Sequence, residues 1–324
     1  MVKHGFLKAG YKYLNLDDGW SNDCRNESGY LLPDPDAFPS GMKALVDYIH
    51  SKGLLFGIYA DSGLTTCAKR PGSLNYEKKD AQVFAEWEVD YLKYDNCDNM
   101  GLPAVDRYKA SHKDKMRDAL NATRRPIYFS ICEWGENKPF LWAPPIGNSW
   151  RTTQDIKANW TSVLTILDKQ RNITNYAGPG GWNDPDMLEI GNGNLTLDEQ
   201  RSHFSFWAAL KAPLILGFDI RNPPPDARDM ALNTEIIAVN QDPLGVSVNI
   251  VEHNKYYEIW TGPLSDGYVA RQIAVRDLWD KKNPDKGIFT ERSAVPPHTT
   301  TVLKLRYGIK VSRKRRLHKI LIYP

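Results

Sequence analysis

Long apolar runs are missing from this chain of 324 residues. None approaches the ~20 residues that a membrane helix needs, so no membrane partner is expected. Histidine is sparse: there are 7, none in a His-x-x-x-His or similar spacing, which removes the usual signature of a zinc site. Carboxylates alone could still hold Mg2+ or Ca2+. The Gly-x-x-x-x-Gly-Lys-Ser/Thr order is absent, and a phosphate loop goes with it. Net charge is small, +3, and much of the excess sits in Arg313-Lys-Arg-Arg-Leu-His-Lys319. A run that short reads as a solvated patch, so no nucleic-acid partner is inferred. No apolar signal core follows Met1, yet five Asn-x-Ser/Thr sequons occur, at Asn26, Asn121, Asn159, Asn172 and Asn194. They point to a secreted, cell-wall or vacuole-like (lysosome-like) location, with the signal lying outside this chain.

What is present is ordinary for a globular enzyme: 41% hydrophobic and 25% charged residues, enough length for a large core. Short apolar runs end on acids: Tyr11 to Leu16 before Asp17-Asp18, Leu54 to Ala60 before Asp61, and Tyr91 to Tyr94 before Asp95. Two more run from Ile127 to Cys132 before Glu133 and from Leu214 to Phe218 before Asp219. Helical patterns at 41–51, 76–89, 104–122, 157–170, 197–212 and 226–239 lie between or after them. Strand alternating with helix predicts a parallel sheet, and this many units predicts a TIM-type (β/α)8 barrel, with a doubly wound open sheet as the alternative. In a barrel the acids would converge on one mouth. After Gln241-Asp-Pro-Leu-Gly245 the pattern alternates with period two, which predicts a small antiparallel β-sandwich-like domain. The domains expected are 1–243, 244–305 and a basic tail, 306–324.

In Tyr91-Leu-Lys-Tyr-Asp-Asn-Cys97 a strand would put Tyr91, Lys93 and Asp95 on one face. Lys93 is expected to hold Asp95 ionised, making it a candidate nucleophile, with a structural ion pair as the competing reading. Asp17-Asp18-Gly19-Trp20 offers two acceptors beside an indole, suited to sugar hydroxyls; a capped turn would look the same. Asp155 reads either as a helix N-cap or as a second carboxylate opposite Asp95. Glycoside hydrolysis needs such a pair, roughly 5–5.5 Å apart in a retaining enzyme. Asp184-Pro-Asp186 reads as a rigid turn presenting Asp186 and Met187 to the mouth. Cys67 and Cys97 fall in loops after consecutive strands, where a bridge would join two walls; Cys132 reads as a buried thiol and Cys24 has no evident partner.

Taken together, Tyr13-Leu-Asn-Leu-Asp-Asp-Gly-Trp20, Gly57-Ile-Tyr-Ala-Asp61, the Tyr91 to Cys97 heptapeptide, Cys132-Glu-Trp134 and Ser149-Trp-Arg151 resemble the α-galactosidases of glycoside hydrolase family 27. Gly180-Gly-Trp-Asn-Asp-Pro-Asp-Met187 and Asn240-Gln-Asp-Pro-Leu-Gly245 extend the resemblance. It implies a retaining exoglycosidase acting on terminal α-galactosides of oligosaccharides, galactomannans or galactolipids. Asp95 matches the family's nucleophile and Asp155 its acid/base. Asp17, Asp18, Tyr59, Lys93, Glu133, Arg151 and Asp186 match galactose-binding positions, and Cys67 and Cys97 match a disulfide near the site. No metal or organic cofactor is implied. Family members begin with a strand that this chain lacks, so the resemblance implies a barrel without its first strand. The C-terminal domain reads as shortened between Tyr268 and Arg271, and residues 111–115 as an insertion. An α-N-acetylgalactosaminidase, a β-L-arabinopyranosidase and an inactive sugar-binding barrel are the alternatives.

Overall fold

The alternation of apolar runs with amphipathic stretches becomes alternation of strand and helix. The computed structural model describes residues 1–103, 108, 116–253, 258–265, 274–277, 298, 300–306 and 320–322. The chain forms two units, Met1–Gln154 and Asp155–Pro324.

In the first unit a short helix α1 (Phe6–Ala9) precedes β1 (Tyr13–Asn15), followed by β2 (Leu55–Asp61), β3 (Tyr91–Asp95), β4 (Tyr128–Ile131) and β5 (Ser149–Arg151). Each strand pairs in parallel with the next. Helices α2 (Gly41–Ser51), α3 (Glu77–Glu86) and α4 (Met116–Ala122) make the crossovers. Met42, Val46 and Ile49 recur at helical spacing along α2 and are all buried. They join Phe56, Ile58, Leu92, Phe129, Ile131 and Trp150 in one core. These strand residues belong to one face of the sheet, because Ile58 registers with Leu92 and Leu92 with Phe129.

The other face is built in layers. Gly57, Tyr91 and Tyr128 register across three strands, as do Tyr59, Lys93 and Ser130 two residues further on. Ser130 is next to Ser149 on β5, and their hydroxyls hydrogen-bond at 3.0 Å. One layer higher, Asp61 registers with Asp95. In the lowest layer the rings of Tyr91 and Tyr128 stack at 5.0 Å and Tyr13 leans on both. Glycine at position 57 leaves room for the Asn15 side chain, which a Cβ there would displace.

In the second unit lie α5 (Trp160–Gln170), β6 (Trp182–Asp184), α6 (Leu197–Ala209), α7 (Pro225–Ala231) and α8 (Thr234–Asn240). Asn159 caps α5 by accepting from the Ser162 amide at 2.9 Å, and Thr196 and Glu199 form a capping box on α6. The helix expected over 226–239 is two helices, because the Asn233 side chain caps a new start by accepting from the Glu235 and Ile236 amides. The strand expected over 214–218 reduces to one parallel bridge, Leu188 to Leu216. Pro213 before it has no amide to donate and the chain turns at Asp219.

The C-terminal sheet has strand order β7 (Asn249–His253), β8 (Glu258–Thr261), β11 (Ile320–Ile322), β10 (Thr300–Arg306), β9 (Ala274–Asp277), with antiparallel pairing throughout. Residues 320–322 were expected in a tail without a partner in the fold. They are instead the middle strand, because an Ile-Leu-Ile run after the basic cluster suits a paired position. The basic cluster 313–319, the segment between 268 and 271, residues 111–115 and most of the first half of the helix expected over 104–122 lie outside the described residues. Among the described residues no helix is long and apolar enough to cross a membrane.

Leu92 is fully buried between Ile58 and Phe129. Leu92→Ala is expected to cost about 2–5 kcal/mol, seen as a lower denaturant midpoint at unchanged slope. A midpoint within about 0.5 kcal/mol of the parent would contradict this core assignment.

Candidate active site

The upper two layers of the first unit hold Tyr59, Lys93 and Asp95, with Asp61 beside Asp95. Asp95 ends β3 and is 5% exposed, a depth at which a carboxylate needs partners. Its Oδ2 accepts from the Tyr59 hydroxyl at 3.0 Å and its Oδ1 from the Asn96 amide at 3.0 Å. The Cys132 thiol, buried beside the end of β4, also hydrogen-bonds it. The Tyr108 hydroxyl donates to the Asp95 backbone carbonyl at 2.8 Å and lies 3.1 Å from that of Tyr94, holding the strand end.

Lys93 does not overcome the burial of Asp95. Burial raises the Asp95 carboxyl above its ordinary range, and Lys93, Cys132, Asn96 and Tyr59 offset this in part. The expectation that Lys93 holds Asp95 ionised is met in direction only: Lys93 lowers the carboxyl but burial outweighs it, and the Lys93 ammonium reaches Asp17 at 2.9 and 3.1 Å and lies 5.2 Å above the Tyr59 ring. For Lys93 the neighbouring Asp17, Cys132 and Asp95 together outweigh burial and keep it charged. Burial foremost, then Asp95, pushes the Tyr59 phenol far up, so it remains a donor. Asp18 accepts from the Ala68 amide at 2.7 Å and ties the loop after β1 to the loop carrying Cys67.

Trp20 is buried; its indole N–H donates to the Tyr59 carbonyl at 2.8 Å and its ring packs edge-on against Trp87. It is a strut of the core and not a sugar platform, since its one polar group needed a partner inside. Arg151 ends β5 almost fully buried, with Nη1 3.7 Å from the Cys132 sulfur and Nη2 3.2 Å from the Thr153 carbonyl. Glu133 follows β4. Its Oε2 accepts from the Asn137 amide at 2.9 Å and from the Asn137 side chain at 3.0 Å, whereas among the described residues its buried Oε1 has no hydrogen-bond partner of good geometry. Burial, opposed by Asn137, pushes this carboxyl up to about 7.

Cys67 and Cys97 form a disulfide with Cα atoms 5.3 Å apart. Among the described residues, one group places possible metal donors within 4.8 Å of one another: Asp61, Cys67, Asp95 and Cys97. Its two sulfurs are bonded to each other, which leaves two carboxylates and no thiolate. The free cysteines are Cys24, exposed, and Cys132.

In the second unit Asp155 is exposed and precedes Ile156, whose amide donates to Asp186 Oδ2 at 2.8 Å. Asp155 caps no helix, because Asn159 takes that place on α5. Asp186 has φ 83°, a left-handed conformation that costs free energy in a non-glycine residue. Three contacts hold it there: the Ile156 amide, its own amide on Asp184 at 2.8 Å, and the Trp207 indole on its carbonyl at 2.7 Å. Cys132, Asn137 and Tyr108 take part in the site although sequence reasoning gave them no role there. Cys132 alone carried a signal, as a polar atom at a strand end on the Lys93 face.

The melibiase family profile described as Alpha galactosidase A matches residues 1–242. Alpha-galactosidase 3 of Arabidopsis thaliana is 54% identical over 268 residues, covering 82% of this chain and 60% of that protein. The alpha-galactosidase of Cyamopsis tetragonoloba is 54% identical over 271 residues, covering 83% of this chain and 65% of that one. The chain thus spans less than two thirds of the length of these relatives. Among solved structures, alpha-galactosidase I from Mortierella vinacea is similar with a TM-score of 0.84 at 34% identity, over 99% of this chain and 89% of that one. The Saccharomyces cerevisiae enzyme solved with raffinose gives 0.80 at 35% identity, over 86% of this chain and 75% of that one. With the profile spanning β1 to β6 and reaching Asp242, this chain belongs to the melibiase, or alpha galactosidase A, family.

Proposed function

We propose that this chain carries the chemistry of a retaining α-galactosidase, releasing terminal α-D-galactose from oligosaccharides, galactomannans or galactolipids. The observation that carries the reading is the Asp95 carboxylate, buried at the C-terminal end of β3 with hydrogen-bond donors on both oxygens. Such a group is fixed in direction and poorly solvated, as an attacking carboxylate must be. In this reading Asp95 attacks the anomeric carbon and forms a glycosyl-enzyme. Asp155 protonates the departing glycosidic oxygen and then takes a proton from the water that hydrolyses the intermediate.

Asp17, Asp18, Lys93, Tyr59, Glu133, Arg151 and Asp186 bind the galactose hydroxyls. Lys93 and Asp17 supply a donor and an acceptor from one ion pair, 2.9 Å apart. The buried Oε1 of Glu133 is suited to accept from a sugar hydroxyl, and a carboxyl there would crowd the larger N-acetyl substituent. The reading extends to a β/α barrel over 1–243, an antiparallel domain from 244 onward in which Ile320–Ile322 is the middle strand, and a secreted or vacuolar location in keeping with the sequons.

Asp95→Asn is expected to abolish turnover of a nitrophenyl α-galactoside, because no glycosyl-enzyme can form. Near-parental turnover would refute the nucleophile. Asp155→Asn should spare the nitrophenyl substrate, whose leaving group needs little protonation, far more than raffinose. Equal losses on both would remove Asp155 from the acid role.

Glu133 gives a stability test as well. It ionises near 4.5 when unfolded and near 7 in the fold, so the folded chain binds the extra proton between these values and stability falls as pH rises through them. Glu133→Gln should flatten that fall by up to about 3 kcal/mol, read from denaturation curves at both ends of the interval. Parallel pH dependence in the two proteins would show that Glu133 does not titrate this way. In activity assays the parent should strongly prefer galactoside to N-acetylgalactosaminide. Comparable efficiencies would count against a Glu133 contact to the 2-hydroxyl.

A further inference from the structure

Asp61 has no part in the chemistry described so far, yet it is fully buried at the end of β2, in register with Asp95. Both of its oxygens are used on backbone amides. Oδ1 accepts from Gly63 at 2.7 Å and Oδ2 from Cys97 at 2.8 Å. The Gly63 amide belongs to the loop leading to Cys67, and the Cys97 amide lies two residues past Asp95. One carboxylate therefore spans the two loops that the disulfide also joins. The loops touch closely there: a Cβ at position 63 would strike the Cys97 carbonyl. The Ser62 amide adds a bond to the Asp95 carbonyl at 2.9 Å.

Asp61 also meets Asp95 through a side chain. The Tyr59 hydroxyl lies 3.0 Å from Asp95 Oδ2 and 3.5 Å from Asp61 Oδ2. Carboxylate oxygens of the two acids are within 4.8 Å of each other. A phenol has one proton to give, and the shorter distance shows where it goes. The two amides satisfy Asp61, so the Tyr59 proton is left to Asp95.

We propose that Asp61 is a positioning residue for the Asp95 carboxylate, acting through the Tyr59 hydroxyl between them and through the loop it clamps at Cys97. The proposal rests on the reading of Asp95 as nucleophile. Asp61 fixes the direction of Asp95 and sets a second negative charge behind it. The other groups facing this pair are Lys93 from β3, Cys132 beside β4 with Arg151 behind it, and Tyr108. On the helix side Tyr94 senses Asp61 together with Glu77 and Asp80.

Two substitutions should move Asp95 in opposite directions. Asp61→Asn removes a like charge, so Asp95 should stay ionised to lower pH. Tyr59→Phe removes a donor to the ionised form, so Asp95 should take up its proton at higher pH. The acid limb of kcat/KM for a nitrophenyl α-galactoside should move by about 0.5–1 pH unit, down in the first variant and up in the second. The same shifts should appear in a 13C NMR titration of the Asp95 carboxyl in the unliganded protein, its resonance identified by its loss in Asp95→Asn. A group that merely supported the fold would lower the melting temperature of both variants and leave the titration where it was.

Asp95 titrating as in the parent in both variants would overturn the proposal. If Asp61→Asn does not melt cooperatively, Tyr59→Phe decides, and an unmoved titration there overturns it equally. If the parent does not turn over the galactoside, that failure counts against the proposed activity, and the NMR arm still decides whether Asp61 and Tyr59 set the state of Asp95.

Discussion

Taking the Asp95 carboxylate out of water costs free energy, and the elements around it are arranged so that the cost is met without solvent. Tyr59 reaches it from β2, Asn96 from just past the end of β3, and Cys132 from beside β4. Each donor can do so because parallel pairing sets the ends of neighbouring strands level. Tyr108 and Ser62 then hold the main chain of the same residue from two further directions. Remove the register and Asp95 becomes a buried charge with few donors, which no fold of ordinary stability carries easily.

The positive charge at the site is distributed differently from what proximity in sequence implies. Lys93 is two residues from Asp95 and on the same face, but its ammonium is bound by Asp17 from the loop after β1. The lysine holds that loop as an ion pair, with Tyr59 beneath it. Burial outweighs Lys93 and the neutral donors together at Asp95, which accounts for a carboxyl raised despite a nearby cation. Glu133 is raised as well, by burial, with Asn137 as its hydrogen-bond partner.

The parts legible in the sequence are those governed by short-range periodicity. Tyr91 to Asp95 alternates with period two, and its faces follow from that alone; Met42, Val46 and Ile49 mark α2 in the same way. Ser149 to Arg151 and Trp182 to Asp184 are three residues each, too short for a period to show, and Trp182 to Asp184 has polar groups on both sides; they are strands because of what they pair with. Ile320 to Ile322 is the same case at longer range, three residues whose partners lie far away along the chain. Pairings across long stretches of chain were illegible too. Nothing local says that Lys93 prefers Asp17, 76 residues away, or that the indole of Trp20 must find the Tyr59 carbonyl. Asp61 announced itself as an acid at a strand end, but its two amide partners are created by the loops folding over it.

The layered face of β2 to β4 also turns residue count into chemistry. From Gly57 to Asp61 the odd positions carry the glycine, the phenol and the acid, and the even ones carry Ile58 and Ala60 for the core. Deleting one residue ahead of Ile58 would hand the layers isoleucine and alanine where glycine and tyrosine stand, and would push the polar pair into the core. Deleting two would keep the face but lower Asp61 to the level of Lys93. Gene-level insertions and deletions can therefore accumulate in the loops and crossovers between strands, while within this pentapeptide length is held as firmly as identity.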